Sequence, residues 1–374
     1  MTQYLWQRPE WTRFQWKNEN ILLTMGECRM LQGKLLGRLA DLGLPLENHA
    51  QMEILAEETL KTAAIEGESL NVKAVRSSVA RKLGLPSAGL PVDRHVDGLV
   101  SVLLDATKNH DESLTEKRLF SWHAALFPTG YSGMHKISVG NWRGDKSMQV
   151  ISGPIGHETV HFEAPPSDRI PNEIRRFLGW WEESRGNTEG LLRAAIAHFW
   201  FVTIHPFEDG NGRLARALTD MAVAQDDRQS IRYYSLSSQI MAERETYYDV
   251  LERCQKGNGD ITEWLTWFLG CFCRAINRSE KLLATVLDKA AFWKAHAQSA
   301  LSERQRKVIN RLLDAGRGGF EGGLTTRKYV SIAGVSRATA FREMDHLVEL
   351  GILKQNPGRG RSASYDLNWT LKSD

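Results

Sequence analysis

Apolar positions recur at intervals of three and four over most of the chain, the period of a helix buried along one face. Between 18 and 42, Ile21, Met25, Cys28, Leu35, Leu39 and Leu42 form one stripe, and Gly43 followed by Pro45 ends it. The same spacing predicts helices over 49–66, stopping at Gly67, and over 71–83, stopping at Gly84. A Gly-, Pro- and Ser-rich loop over 84–91 follows. Further helices are predicted over 93–109, 115–126, 168–184, 189–204, 211–225, 243–256 and 260–278. The pattern changes at 139–163, where Met148-Gln149-Val150-Ile151 and Thr159-Val160-His161-Phe162 flank Gly153-Pro154 and read as a small hairpin. Residues 288–302 read as a helical connector to a C-terminal unit.

A length of 374 residues suggests two or three domains. With 42% hydrophobic and 25% charged residues the chain is globular, which excludes disordered and fibrous classes. No apolar run approaches the roughly 20 residues of a membrane helix, so no membrane partner is expected. The opening Met1–Trp11 lacks the basic and apolar regions of a signal peptide. Cys28, Cys254, Cys271 and Cys273 form no CxxC pair and no regular framework, so a reduced, cytoplasmic setting is expected, with Cys271 and Cys273 read as buried thiols of one helix and a metal site as the alternative. The net charge is only +3, but from 301 onward 13 Lys and Arg face 8 Asp and Glu, against 35 and 37 in the first 300 residues. That asymmetry points to nucleic acid at the C-terminal end or to a solvated basic surface.

One loop carries chemistry: His205-Pro206-Phe207-Glu208-Asp209-Gly210-Asn211-Gly212-Arg213-Leu214-Ala215-Arg216, between two predicted helices. Gly210, Asn211 and Gly212 tolerate positive φ and can turn successive N–H groups toward one point. The next helix adds its free N–H groups and the positive end of its dipole, an anion nest suited to phosphate. Arg213 and Arg216 share a helix face and can clamp phosphate oxygens. Asp209 is a hard oxygen ligand where magnesium would bridge phosphates. His205 has the pKa range of a general base. Phe207 would point inward and pin the loop. The loop is neither a Walker A motif nor a zincin, and His198 reads as structural.

The twelve residues match the Fic signature HxFx(D/E)GNGRxxR at every specified position, so residues 110–280 resemble a Fic core. The resemblance implies a mainly α fold with a β-hairpin flap. It also implies transfer of AMP from ATP, with Mg2+, to a Ser, Thr or Tyr hydroxyl of a target protein or of the chain itself. By resemblance His205 is the base and Asp209 holds magnesium. Gly210, Asn211, Gly212 and Arg213 hold the α- and β-phosphates, and Arg216 reaches the γ-phosphate. Met148, Gln149, Val150 and Ile151 resemble the flap that docks the target as an added strand. Tyr247-Tyr248, Leu251 and Gln255 are similar to an adenine pocket, although their helical spacing fits core packing equally. Thr62-Ala63-Ala64-Ile65-Glu66-Gly67 matches the Fic inhibitory motif (S/T)xxxE(G/N), which implies that Glu66 pairs with Arg216 and misplaces ATP. Glu66 could instead orient water to remove AMP, making the enzyme bifunctional. The opening segment with Trp6, Trp11 and Trp16 resembles the module ahead of some Fic cores.

The C-terminal helices predicted over 302–316, 324–333 and 337–350, with a hairpin around Pro357–Arg361, resemble a winged helix-turn-helix. Arg337 and Arg342 on its recognition helix and Arg359 and Arg361 at the wing tip would face DNA. A protein-docking winged helix is the alternative. The resulting organisation is an N-terminal helical regulatory region over 1–110, a catalytic core over 111–287 and a winged helix over 300–374, with a homodimer as the expected assembly. A DNA-binding regulator whose core only senses ATP is the rival to the enzyme.

Overall fold

The computed structural model describes residues 4–40, 44–87, 89–144, 147–152, 159–357 and 363–369. Two compact units divide the chain, Met1–Ser279 and Glu280–Asp374. The first opens with α1 (Asn18–Ala40), α2 (Leu44–Ile65) and α3 (Val72–Lys82). Pro45 lies in the first turn of α2, where its missing N–H costs nothing, so this helix starts earlier than its apolar stripe suggests. Next come α4 (Arg94–Lys108), α5 (Glu116–Leu126), the short hairpin β1 (Tyr131–Ser132) and β2 (His135–Lys136), and the longer hairpin β3 (Gln149–Ser152) and β4 (Thr159–Glu163). The helices α6 (Ile170–Glu183), α7 (Gly190–Ile204), α8 (Asn211–Asp227), α9 (Leu236–Ala242) and α10 (Arg244–Gln255) follow. The predicted ends at 278 and the separate connector are corrected: α11 runs unbroken from Thr262 to Ala295.

Helix α7 is the axis of this unit, with every residue from Leu191 to Ile204 buried apart from Leu192. An all-round apolar helix can only sit in the middle of a core. Beside it lies α8, whose inner face carries Leu214, Ala217, Leu218 and Met221, all fully buried. The N-terminal segment clamps the outside. Trp11 packs edge-on against Trp200, Phe14 against Phe199, and the indole N–H of Trp6 donates to the Glu163 carbonyl at 2.6 Å.

Strand β3 pairs antiparallel with β4, Gln149 opposite Glu163 and Ser152 opposite Thr159, with a bulge between Val150 and Ile151. The Gly153-Pro154 turn lies outside the described residues. Cys28 of α1 and Cys273 of α11 form a disulfide, Cα atoms 5.0 Å apart, which corrects the reading of Cys273 as a buried thiol; Cys254 and Cys271 are buried and free. No described helix is long and apolar enough to cross a membrane.

The second unit holds α12 (Glu303–Ala315), α13 (Thr326–Ala333), α14 (Arg337–Glu349), β5 (Leu353–Gln355) and β6 (Tyr365–Leu367). Its core is Val308, Ile309, Leu312, Leu313, Leu324, Tyr329, Met344 and Leu347 with Ile352, Leu353 and Leu367. Ser302 and Gln305 make a reciprocal cap at the start of α12, and Ser336 caps α14. Leu324 exchanges backbone hydrogen bonds with Tyr365, extending the β5–β6 pair by one bridge.

Candidate active site

The loop between α7 and α8 is built around one unusual backbone. His205 ends α7 with φ 52°, a left-handed conformation uncommon for a non-glycine residue and shared here with Arg228 at the end of α8. Arg143 braces the His205 turn. Its buried guanidinium donates from Nε to the His205 carbonyl at 2.8 Å and from Nη2 to the Pro165 carbonyl, while its backbone N–H donates to the Pro206 carbonyl. From below, Phe207 is fully buried and lies flat on His123 of α5, ring centres 4.2 Å apart. The Gly140 N–H donates to His123 Nδ1 at 3.1 Å, so Nε2 carries the hydrogen and faces the Asp209 carbonyl at 3.2 Å. Neither Arg143 nor His123 was found from sequence, because both act through backbone atoms and belong to no motif.

Of the three residues expected to tolerate positive φ, only Gly210 uses that freedom, at 82°. Asn211 and Gly212 are the first helical residues of α8. The Asn211 side chain closes the loop, accepting from the Phe207 N–H at 3.0 Å and donating to the Phe207 carbonyl at 2.9 Å. Its amide is therefore spent inside the protein, and only its backbone N–H is left for a phosphate. Gly212 has ordinary helical φ and lies against the Glu66–Arg216 pair, where an added Cβ would come within 2.2 Å of Glu66 Oε1 and push that carboxylate aside.

His205 Nδ1 sits 3.3 Å from the Val202 carbonyl, which can only accept, so the proton is on Nδ1 and the Nε2 lone pair is free. Burial pushes its pKa down to about 4, so the ring is neutral at neutral pH. Asp209 accepts from the Gly210 N–H at 2.5 Å and from the Ser132 hydroxyl of β1. Among the described residues no group of three or more His, Cys, Asp and Glu forms a metal cage. A single carboxylate beside a helix N-terminus fits magnesium, which is held by one or two carboxylates plus phosphates and water.

Both signature arginines are buried and both are engaged by carboxylates from the end of α2. Arg216 donates from Nη2 to Glu66 Oε1 at 2.7 Å and to the Thr62 carbonyl at 2.9 Å, and from Nε to the Thr62 hydroxyl at 2.6 Å. Arg213 Nη1 lies 3.0 and 3.2 Å from the two oxygens of Glu68, and its Nη2 is 3.7 Å from Asp209. Glu68 also meets His95 Nε2 at 3.0 Å. Hydrogen bonding to Glu68 raises the His95 pKa above its ordinary value. Sequence reading found Glu66 and missed Glu68, although its position one residue past the Gly67 helix stop was the available signal.

Among the remaining candidates, Tyr247 belongs to the core, its hydroxyl 2.9 Å from Nε2 of buried His198. Tyr248 is partly exposed, stacked beneath Arg244 and 3.5 Å from the Ile65 carbonyl. Leu251 is buried, and Gln255 is turned inward to donate to Thr203 at 3.2 Å. On the flap Ile151 and Val160 are exposed, and β3 pairs only with β4 among the described strands. Arg337 and Arg342 are exposed on α14 with Phe341 between them. Arg359 and Arg361 lie outside the described residues.

Residues 113–223 match the Fic/DOC family model, and residues 4–85, which carry α1–α3, match a separate model described as Domain of unknown function (DUF4172). The protein adenylyltransferase Fic of Culex quinquefasciatus is 24% identical over 232 residues, 61% of this chain and 42% of its own length. That of Nematostella vectensis is 26% identical over 238 residues, 63% of this chain and 50% of its own. The chain thus spans about half, or less, of these curated relatives. Among solved structures, a Fic family protein from Desulfovibrio desulfuricans superposes with a TM-score of 0.53 at 20% identity, covering 93% of this chain and 96% of that one. Fic-1 of C. elegans gives 0.51 at 20% identity, covering 71% and 74%. The family match falls on the helices and loop that hold His205, Asp209, Arg213 and Arg216, and the chain therefore carries a Fic domain.

Proposed function

We propose that this chain is a protein adenylyltransferase, restrained in its resting form by Glu66. It would transfer AMP from ATP to a Ser, Thr or Tyr hydroxyl of a target protein or of itself. The observation that carries the reading is a neutral, lone-pair-bearing His205 on the same twelve-residue loop as the N-terminus of α8 and two buried arginines. In the proposed step the target hydroxyl oxygen bonds to the α-phosphorus and the bond to diphosphate breaks. The hydroxyl proton passes to His205 Nε2. The α8 N-terminus and Arg213 cradle the α- and β-phosphates, and Arg216 takes the γ-phosphate once Glu66 lets go. Magnesium, held by Asp209, would neutralise phosphate charge. Partly exposed Met148, Gln149, Val150 and Ile151, the last three on β3, would offer the strand edge a target segment extends. Tyr248 and Leu251 would flank the adenine, with inward-turned Gln255 behind them. ATP labelled on the α-phosphate should label protein in a His205-dependent way, and ATP labelled on the γ-phosphate should not. Transfer of the γ-label would replace this reading with phosphorylation.

The second unit is proposed as a winged helix-turn-helix that binds DNA through α14. Its excess of basic residues and the exposure of Arg337 and Arg342 favour that reading.

A further inference from the structure

Helix α2 ends in a Schellman turn. The Glu68 N–H bonds the Ala63 carbonyl and the Gly67 N–H bonds the Ala64 carbonyl, both at 3.0 Å, with Gly67 at φ 83°. This turn fixes Glu66 and Glu68 on either side of one glycine, and it does so opposite Arg216 and Arg213, which are three residues apart on one face of α8. The two carboxylates are therefore delivered to the two guanidiniums by a single rigid cap.

We propose that Glu68 is a second prong of the lock, withholding Arg213 from the α- and β-phosphates as Glu66 withholds Arg216 from the γ-phosphate. The proposal rests on the nucleotide roles given to these arginines above.

Three observations support it. Arg213 is 1% exposed, so its charge must be matched inside the protein, and Glu68 is its nearest carboxylate. Each arginine also keeps one buried nitrogen with no partner, Nε of Arg213 and Nη1 of Arg216. Each guanidinium thus keeps donor capacity that its carboxylate does not use, although Arg143 and Arg232 carry such nitrogens too, so this agrees with the lock without carrying it. Finally, Glu68 is braced from behind. His95 of α4 lies between Glu68, 3.0 Å from Nε2, and the Leu126 carbonyl at the end of α5, 3.0 Å from Nδ1. Both neighbours accept, so the ring is positioned to donate on both sides and to hold the prong in place.

The two prongs differ in which nucleotide they exclude, and that separates them experimentally. The test uses the full chain carrying His205→Ala, so that nothing turns over, and titrates ADP and ATP by calorimetry. Glu66→Gln should tighten ATP about tenfold and leave ADP within about twofold, because ADP has no γ-phosphate. Glu68→Gln should tighten ADP and ATP alike by about tenfold, and Glu68→Ala should do the same if the amide is poorly tolerated. Unchanged or weakened ADP binding in folded Glu68 variants overturns the second prong. Tighter ATP binding by Glu66→Gln in that experiment would leave the transferase reading standing. If the Glu66→Gln/Glu68→Gln double variant binds neither nucleotide, the transferase reading falls and the lock falls with it.

Discussion

His198 is the buried group at the centre of the α7–α8 axis, and its replacement by leucine gives a two-part expectation. The ring is fully buried, with Nδ1 3.0 Å from the Thr219 hydroxyl and Nε2 2.9 Å from the Tyr247 hydroxyl. The Thr219 hydroxyl already donates to the Ala215 carbonyl at 2.8 Å, so it accepts from Nδ1–H, and Tyr247 donates to Nε2. Leucine fills similar space but leaves the Tyr247 hydroxyl without this acceptor, which costs about 1–3 kcal/mol at pH 7. The second part is pH dependence. Burial, aided by the nearby Arg216 charge, pushes the His198 pKa down to about 3, against 6.5 in the unfolded chain. A lowered histidine pKa means that the unfolded state binds the proton first. Wild-type stability from this group is intact above 6.5 and is lost as pH falls toward 3. By pH 5 the loss is about 2 kcal/mol, which His198→Leu does not suffer. Urea unfolding followed by tryptophan fluorescence, with Trp264 packed against His198, should show the wild-type advantage at pH 7 shrinking by about 2 kcal/mol at pH 5. Taking the difference between the two proteins cancels contributions from other titrating groups, including Asp220 and Asp227, whose pKa values burial raises to about 7 and about 6. A difference that stays constant between pH 7 and pH 5 would refute the claim that His198 is held neutral.

Other outcomes follow from the same geometry. His205→Ala should lower AMP transfer by about 10²–10⁴-fold while nucleotide affinity, measured by calorimetry, stays near wild type. Gly98→Ala would place a methyl group 1.8 Å from the Ala125 carbonyl oxygen, so α4 and α5 must separate; a loss of at least about 2 kcal/mol in urea unfolding is expected. If α14 contacts DNA, mobility shifts of the full chain should weaken steeply with salt, and Arg337→Glu/Arg342→Glu should abolish them; no shift at low salt would favour protein docking instead.

Most helices were legible because an apolar stripe on a helix must face a core, whatever the neighbours are. Helix α9 was not, because Leu236–Ala242 is only two turns long and carries Ser237 and Ser238, which are buried by hydrogen bonding to Glu58 and Glu57 of α2 rather than by apolar character. The β1–β2 hairpin was missed because strands of two residues leave no period to read. In the site, residues that act by side-chain chemistry stood out as a motif. Those that act by holding backbone did not: Arg143 and His123 belong to no pattern, and nothing in the motif showed that the Asn211 side chain closes the loop. The Cys28–Cys273 pairing joins residues 245 apart, a separation only the packing of α1 on α11 brings together.

The central claim is that an intact transferase site is held in check by the Glu66–Arg216 pair. It is tested most directly by incubating the Glu66→Gly variant with ATP, magnesium and cell lysate and reading intact and peptide masses for an added adenylyl group. Because in-line transfer depends on alignment, releasing Arg216 should raise labelling of the chain itself or of lysate proteins by about 10²-fold over wild type. Adding His205→Ala should erase that gain. Labelling at the wild-type rate in Glu66→Gly would contradict the account and reduce the Thr62–Gly67 segment to the end of a helix.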